Sequence, residues 1–219
     1  MTQAAQIAFG NDTDQRRRSG RPRSEEVTAL NEKIFETAKR LFIERGFAGT
    51  TIERVAHESG TMRRSVNHRF PNKDVLLMAV AERVVSADID MLVPIAANKE
   101  APLDHLRMVC RNLLAHATNP DVAALFRVYT GEARRVPELS ELLVRLNIDL
   151  ERRIERIVLD IQEQGAFQRF SATAVSVSVI GMMISNPLNR LMMGDEQFVD
   201  PHRTELYFSQ MWAIFLAMY

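Results

Sequence analysis

Apolar and polar positions alternate along most of the chain with the spacing of helices. From residue 24 to residue 45, apolar residues recur every three or four positions, which places them on one side of a helix. This stripe consists of Val27, Leu30, Ile34, Ala38, Leu41 and Phe42. Ser24 can cap the N-terminus of this helix, and Gly46 stands where glycine favours its end. We therefore predict a first helix from Ser24 to Arg45.

The stretch Thr50–Lys73 predicts two short helices joined by a tight turn. Glu53 follows Thr50 by three residues, which is the spacing of a capping box at a helix start. Ser59-Gly60-Thr61 then breaks the helical pattern, and glycine tolerates the sharp reversal. A second helix follows over Met62–Phe70. This layout is typical of a helix-turn-helix, whose second helix enters the major groove of DNA.

The second short helix has one apolar side and one polar side. Met62, Val66 and Phe70 are spaced four apart, so we predict that they share the buried side. The outward residues are Arg63, Arg64, Asn67 and His68. Arginine and asparagine make two-point contacts with guanine and adenine edges, whereas the simpler alternative is a solvated polar face. Lys73 begins the next helix, where a phosphate can be held.

The remainder of the chain also predicts helices, with no strand alternation or hairpin turn. A long helix over 72–93 is apolar on most sides, so it must pack between two bodies. The later predicted helices are Pro102–Thr118, Asp121–Arg135, Pro137–Gln164, Ser171–Met193 and Asp200–Met218. The last two are apolar around most of their circumference and need cover on two sides. We predict that a second subunit provides one of these covers.

Charge is distributed unevenly along a chain whose formal net charge is zero. Residues 1–75 hold 14 Lys and Arg against 10 Asp and Glu, a net charge of +4, and the remainder has a net charge of −4. Residues 1–23 lack periodicity and end in RRRSGRPR, so we predict a disordered basic arm. Such an arm either enters a minor groove or acts as a plain cationic tail. The asymmetry indicates a nucleic-acid partner for the N-terminal part.

Composition narrows the class of protein further. Apolar residues make up 46% of the chain, which is enough for a substantial core. Cys110 is the single cysteine and no secretion signal or membrane span is evident, so we predict a cytoplasmic protein. The chain has no HExxH, GxSxG or glycine-rich phosphate loop, and its histidines lack metal-ligand spacing. We therefore predict no enzyme, no cofactor and no metal.

These positions together resemble the DNA-binding domain of the TetR family of bacterial regulators. Over residues 28–88, the matching residues are Ala38-Lys-Arg-Leu-Phe42, Gly46-Phe47, Thr50-Thr51-Ile52, Val55-Ala56, Gly60 and Phe70-Pro71-Asn72-Lys73-Asp74-x-Leu76. The segment GEARRVPELSELL, residues 131–143, is similar to the AefR-like branch of that family. The resemblance implies an all-α fold. An N-terminal three-helix helix-turn-helix DNA-binding domain (24–75) precedes a larger C-terminal helical domain (76–219) for ligand binding and dimerisation.

The resemblance implies a sequence-specific transcriptional regulator, typically a repressor, that binds a palindromic double-stranded DNA operator as a homodimer. We predict DNA contacts from Arg21, Arg23, Thr51, Arg63, Arg64, Ser65, Asn67, His68 and Lys73. A small apolar or amphipathic effector is expected in a body pocket. Its predicted lining is Leu106, Cys110, Leu114, Phe126, Tyr129, Met182 and Met183, unless these are ordinary core residues.

The chain departs from the family pattern at the recognition helix. Thr61-Met62 stands where the family has Val-Ser, so Thr61 would have to replace the capping serine. Asn67 and Arg69 stand where the family has aromatic residues, one of which commonly contacts a phosphate. The alternative function is therefore a small-molecule sensor that acts mainly through a protein partner and binds DNA weakly.

Overall fold

The computed structural model describes residues 24–94 and 101–218, and every regular element within these ranges is helical. The first four helices are α1 (Ser24–Gly49), α2 (Ile52–Glu58), α3 (Arg63–Arg69) and α4 (Lys73–Leu92). The next three are α5 (Pro102–Ala117), α6 (Pro120–Ala133) and α7 (Pro137–Glu163). The last three are α8 (Ala172–Ile180), α9 (Asn186–Met192) and α10 (Pro201–Met218). The all-α prediction is confirmed for these residues, and the predicted arm of residues 1–23 lies outside them.

Helices α1–α3, which we call the head, enclose a small core that positions α3. The fully buried members of the predicted α1 stripe are Ile34, Ala38, Leu41 and Phe42. Val66 and Phe70 are also buried as predicted. Met62, however, is 74% exposed, so the prediction that it lies in the core is wrong. Met62 precedes the first residue of α3 and has an extended backbone, so its side chain does not follow the helical spacing.

The ends of α1 and α2 follow local sequence signals, with one shift. Gly46 has a φ of 64°, a left-handed conformation that glycine adopts readily, and it kinks the end of α1. The cap of α2 is Thr51, whose hydroxyl accepts a hydrogen bond from the Arg54 amide at 3.2 Å. The capping position is therefore one residue beyond the predicted Thr50. Thr50 is fully buried instead, and its hydroxyl donates to the Gly46 carbonyl at 2.8 Å.

The turn between α2 and α3 is closed by two backbone hydrogen bonds. The Gly60 amide donates to the His57 carbonyl at 3.2 Å, and the Thr61 amide donates to the Ala56 carbonyl at 2.8 Å. This pair of bonds defines a Schellman motif, which needs a left-handed residue at its centre. Gly60 fills that position with a φ of 66°. The turn therefore fixes the direction in which α3 leaves α2.

Helices α5–α10, which we call the body, are built around the long helix α7. The buried members of its predicted stripe are Leu139, Leu142, Leu146, Leu150, Ile154, Ile157 and Ile161. Helices α4 and α8 pack against α7, and α4 also packs against α1. Helix α4 therefore contacts both the head and the body, as its apolar circumference predicts.

The predicted single helix from Ser171 to Met193 is interrupted in the structure. Residues Gly181–Ser185 form one π-helical turn between α8 and α9. Pro187 lies in the first turn of α9, and a proline both lacks a backbone donor and clashes with the carbonyl of the preceding turn. This proline is the local signal for the interruption, because the wider π turn accommodates it.

Helix α10 closes the body and leaves part of its apolar surface uncovered. The Tyr207 hydroxyl donates to the Met182 carbonyl at 2.7 Å, which ties α10 to the π turn. Phe208, Trp212 and Phe215 are buried against the body. The exposed large apolar residues of α8 and α10 are Val177 (53%), Leu206 (58%), Ile214 (46%) and Leu216 (42%). We call these four residues the α8–α10 surface.

Cys110 lies in the core of the body and is only 1% exposed. Burial raises the pKa of its thiol to about 12, which disfavours the reactive thiolate, and the side chain packs as a small apolar residue. Within the described ranges, no helix combines the length and apolar character that a bilayer span requires. The same residues include no group of three or more His, Cys, Asp or Glu side chains placed to hold a metal.

Two glycine substitutions with opposite expected effects test this description of the turn. Gly60→Ala should lower the free energy of unfolding by about 1–2 kcal/mol, because a Cβ strains a left-handed residue. Gly131→Ala within α6 should raise it by roughly 0.5–1 kcal/mol, because alanine favours a helix. Neither added Cβ meets another atom within 4 Å, so only the backbone conformation differs. Urea unfolding followed by circular dichroism measures both, and a shift in the same direction would contradict the turn assignment.

Candidate nucleic-acid interface

The outward side of α3 presents a polar surface with an excess of positive charge. Arg63, Arg64, Asn67 and His68 are all exposed, as the sequence predicts. The turn of α3 and the burial of Val66 leave these side chains on the same outer surface of the head. This arrangement can present arginine and asparagine to base edges in a major groove.

Arg63 is paired with a carboxylate of α2. Its Nη2 atom lies 2.5 Å from Oε1 of Glu53, and both side chains are more than half exposed. The pKa of Glu53 is lowered first by a hydrogen bond from its own backbone amide and also by the charge of Arg63. Arg63 therefore reaches the outer surface with a partner that the sequence pattern does not indicate. Arg64 has no ion pair within the described residues.

The remaining predicted contacts near α3 have different degrees of access. Thr51 is exposed while its hydroxyl caps α2. Ser65 is half-buried, and its carbonyl accepts a hydrogen bond from Arg69 Nη1 at 3.0 Å. Arg69 therefore folds back onto its own helix and does not extend the outward surface. Arg21 and Arg23 lie outside the described residues.

Lys73 is held inside the junction between the head and α4. Its Nζ atom donates to the Phe47 carbonyl at 2.6 Å and lies 3.9 Å from the centre of the Phe47 ring. Partial burial lowers the pKa of this ammonium group. The side chain is half-buried, so a phosphate contact would share the ammonium with the Phe47 carbonyl.

A second cation meets the same ring from the body. The Arg135 guanidinium lies 4.9 Å from the centre of the Phe47 ring. It also donates to both carboxylate oxygens of Asp74, at 3.0 and 2.6 Å. Arg135 lies just after α6, Asp74 lies in the first turn of α4 and Phe47 belongs to the head. These contacts therefore join the head, α4 and the body. Sequence reasoning missed the pair of Arg135 and Asp74, because no local pattern links residues 61 positions apart.

The start of α3 has no side-chain cap. Met62 occupies the N-cap position and makes no capping hydrogen bond. The Thr61 hydroxyl, predicted as a substitute, is buried and has no hydrogen-bond partner among the described residues. The prediction that Thr61 caps α3 is therefore wrong. The Ser65 amide donates to the Met62 carbonyl at 2.8 Å, so the amides left for solvent or for another molecule are those of Arg63 and Arg64.

The body contains a cavity of about 280 Å3 between α4, α6, α7 and the α8–α9 segment. Its apolar lining is Val85, Ile89, Leu92, Phe126, Leu143, Leu146, Leu150, Ile180, Ile184, Leu188 and Met192. Of the predicted pocket residues, Phe126 lines this cavity. Leu106, Cys110, Leu114, Tyr129 and Met183 are buried elsewhere in the core, and Met182 is half-buried beside α10.

Two polar residues of this cavity were also missed by sequence reasoning. Asp88 of α4 and His116 of α5 both line it, with 3.6 Å between Oδ2 and Nε2. Burial raises the pKa of Asp88 and lowers the pKa of His116. The sequence did offer one signal for this site, because the acidic residue Asp88 stands within the apolar pattern of α4.

The three-helix head and the exposed face of α3 define a helix-turn-helix regulator that binds DNA. Comparison with known families agrees with this class. The profile of bacterial regulatory proteins of the tetR family matches residues 34–80, and that of the AefR-like transcriptional repressor C-terminal domain matches residues 104–219. The chain therefore belongs to the TetR family, with an AefR-like C-terminal domain.

Two named relatives resemble part of the chain. The HTH-type transcriptional repressor AcnR of Corynebacterium diphtheriae is 29% identical over 96 residues, or 44% of this chain and 46% of AcnR. The HTH-type regulator YerO of Bacillus subtilis, itself uncharacterised, is 33% identical over 61 residues, or 28% of this chain and 21% of YerO. The chain thus matches less than half the length of either relative.

Solved structures resemble the fold over most of the chain. A TetR-family regulator from Mesorhizobium loti has a TM-score of 0.75 and 20% identity, covering 88% of this chain and 97% of its own. A TetR regulator from Haloarcula marismortui has a TM-score of 0.74 and 19% identity, covering 87% and 98%. A regulator from Saccharomonospora viridis, solved with choline, has a TM-score of 0.66 and 19% identity, covering 84% and 94%.

The missing cap of α3 gives a stability prediction. Met62→Ser should raise the free energy of unfolding by about 0.5–1 kcal/mol, because a serine hydroxyl can accept a hydrogen bond from an α3 amide. The backbone of Met62, with φ −70° and ψ 135°, already suits a capping residue. Met193→Ser is the matched control, since this exposed methionine stands at the C-terminal end of α9. Thermal unfolding measures both, and equal midpoints for the two variants would contradict the prediction.

Proposed function

We propose that the protein is a ligand-responsive transcriptional repressor that acts in the cytoplasm as a homodimer on a palindromic DNA operator. Its role in this proposal is regulatory and not catalytic. The observation that carries it is the exposed face of α3, with Arg64, Asn67 and His68 facing outward from a helix-turn-helix. Two such helices, related by two-fold symmetry, would enter successive major grooves ~34 Å apart.

The α8–α10 surface supports a homodimer. Its four apolar residues are between 42% and 58% exposed and belong to α8 and α10. Exposed apolar patches rimmed by polar residues commonly mark protein interfaces. A two-fold axis through this surface would pair each patch with its own copy and would give the head-to-head symmetry of a palindromic site.

The body cavity supports a response to a small molecule. Its volume is close to the lower end of ligand pockets, which are about 300–1,000 Å3. Helix α6 separates the cavity from the head. Phe126 and Thr130 line the cavity, whereas Arg127, Val128 and Gly131 line a cleft against α1. A ligand that displaced α6 would therefore move the head, and a coupling of roughly 1–3 kcal/mol is typical of allosteric proteins.

Names of related proteins agree with a ligand-responsive repressor without defining its ligand. AcnR is named a transcriptional repressor, and the C-terminal profile describes AefR-like repressors. The Saccharomonospora structure contains choline, and another similar structure is the flavonoid-responsive regulator FrrA, with a TM-score of 0.65 and 17% identity. These ligands differ in charge and shape, so the ligand of this protein must be inferred from its own cavity.

The alternative is a sensor that acts mainly through a protein partner and binds DNA weakly. The engagement of Arg63 by Glu53 and of Lys73 by Phe47 favours it, because both cations are partly occupied in the free protein. A stable dimer that retards no fragment of its own promoter in a gel-shift assay would favour this alternative over the repressor.

Replacing both Arg64 and Asn67 with alanine should weaken operator binding and relax base preference. Each two-point base contact contributes about 1–3 kcal/mol of discrimination, so the double variant should lose roughly tenfold or more in affinity for its operator. Binding to unrelated DNA should change much less. Fluorescence anisotropy with an operator from its own promoter and a scrambled duplex measures both. Arg156→Ala, an exposed arginine of α7, serves as the control. Equal losses on the two duplexes would contradict base recognition.

Replacing Ile214 with glutamate should convert the dimer into monomers, because the new carboxylates would lie in an apolar interface. Ile214 is 46% exposed in the α8–α10 surface. Val144→Glu is the matched control, because Val144 of α7 is 57% exposed and lies outside this surface. Sedimentation velocity reports the mass of each variant. A monomeric unaltered protein, or a dimer that persists in Ile214→Glu, would contradict this interface.

A further inference from the structure

The cavity in the body combines an apolar wall with a single carboxylate. Eleven of its lining residues are apolar, and the only acidic one is Asp88. Among the described residues that line it, no lysine or arginine is present. Asn147, Ser185 and Asn189 also line it and are exposed, so they mark its opening to solvent.

The Asp88 carboxylate is incompletely paired. Its side chain is 25% exposed, and its ion-pair partner within 4 Å, His116, lies 3.6 Å away, which exceeds hydrogen-bond distance. Burial lowers the pKa of His116, which disfavours the positively charged form of its ring. Lys39 of α1 is a second cation whose charge reaches Asp88, and Lys39 also pairs with Glu36 at 3.8 Å. The carboxylate therefore retains unused capacity to accept hydrogen bonds.

A buried hydroxyl lies in the same region of the body. Tyr129 is fully buried, and its hydroxyl has no hydrogen-bond partner among the described residues. Burial raises the pKa of this phenol, and the negative charge of Asp88 raises it further. The Tyr129 ring packs edge-on against Phe126, with 5.8 Å between ring centres, and Phe126 lines the cavity.

The backbone of the cavity wall is also unusual. Ser185 and Ile184, which line the cavity, belong to the π-helical turn. Such turns widen a helix locally, and they are frequent at functional sites. The turn and α4, which carries Asp88, both contribute residues to the lining of this cavity.

We propose that the effector of this protein is a hydrophobic cation, whose apolar part fills the cavity and whose ammonium group lies beside Asp88. The proposal rests on the ligand-responsive function above and adds the charge of the ligand. A carboxylate or phosphate ligand would place a second negative charge beside Asp88, with no lining lysine or arginine to balance it. A neutral apolar ligand would displace water from the carboxylate and leave it without a donor.

Because of the position of Asp88, a cation bound beside it would also affect contacts between the head and α4. Asp88 borders the effector cavity on one side and a cleft between α1 and α4 on the other. Lys39 and Phe35 of α1 line that cleft. An ammonium group in the cavity would compete with Lys39 for the carboxylate. A bound ligand would thereby weaken the attraction between Lys39 of α1 and Asp88 of α4.

Three compounds with one apolar skeleton test the charge preference directly: 4-phenylbutylamine, 4-phenylbutanol and 4-phenylbutanoate. Isothermal titration of the full chain should show the amine binding about tenfold or more tightly than the alcohol, because a charged hydrogen-bonded pair contributes more than a neutral one. The carboxylate should bind most weakly. This ranking is measured on the unaltered protein and needs no variant. Tightest binding by the carboxylate, equal binding by all three, or no binding by the amine would overturn the proposal.

The variant Asp88→Asn tests whether the preference for the amine depends on the Asp88 carboxylate. It should lower affinity for the amine about tenfold or more and change affinity for the alcohol by less than about threefold, because only the charge is removed. Asp90→Asn is the matched control on the same helix, since Asp90 is exposed and pairs with Arg153 on α7. Unchanged amine affinity in Asp88→Asn would overturn the proposal. Operator binding is measured in parallel: its absence counts against the repressor function, whereas a wrong ligand ranking on a protein that binds its operator counts against the cationic effector alone.

Discussion

The head, α4 and the body are joined at the Phe47 ring, which two cations contact. Lys73, at the start of α4, lies 3.9 Å from the ring centre, and Arg135, from the body, lies 4.9 Å from it. The Phe47 carbonyl also accepts the Lys73 hydrogen bond, and Asp74 binds Arg135 through both oxygens. The end of α1, the first turn of α4 and the residues after α6 therefore meet at one point. This junction links the head both to α4 and to the body.

Most of the helices and the exposed face of α3 could be predicted from the sequence because their signals are local. Apolar spacing defined the stripes of α1 and α7, and Gly60 marked the turn before α3. Contacts between distant segments had no such signal. Lys73 is 26 residues from Phe47 and Arg135 is 61 from Asp74, so only the fold brings these pairs together. The error at Met62 has a related cause: helical spacing was extended one residue beyond the helix itself.

The cavity was harder to predict than the core, because the same apolar residue types line both. Leu106 and Tyr129 fit a pocket by composition, yet both are fully buried in the core. Residue types that differ from their surroundings were more informative. Asp88 interrupts the apolar pattern of α4, and Pro187 interrupts the helical continuity of the segment after Ser171. Both lie beside or within the wall of the cavity, where the close packing of the core is interrupted.

The pair between Arg63 and Glu53 has a consequence for the ionic-strength dependence of DNA binding. A protein gains affinity from phosphates by releasing the counterions condensed on DNA, in proportion to the positive charges that it brings. In the protein alone, the charge of Arg63 is balanced by the Glu53 carboxylate at 2.5 Å. If Arg63 turned to a phosphate, Glu53 would be left facing the polyanion and would offset part of the gain. A phosphate contact from Arg63 would therefore add less to the salt dependence of binding than one from an arginine without a carboxylate partner.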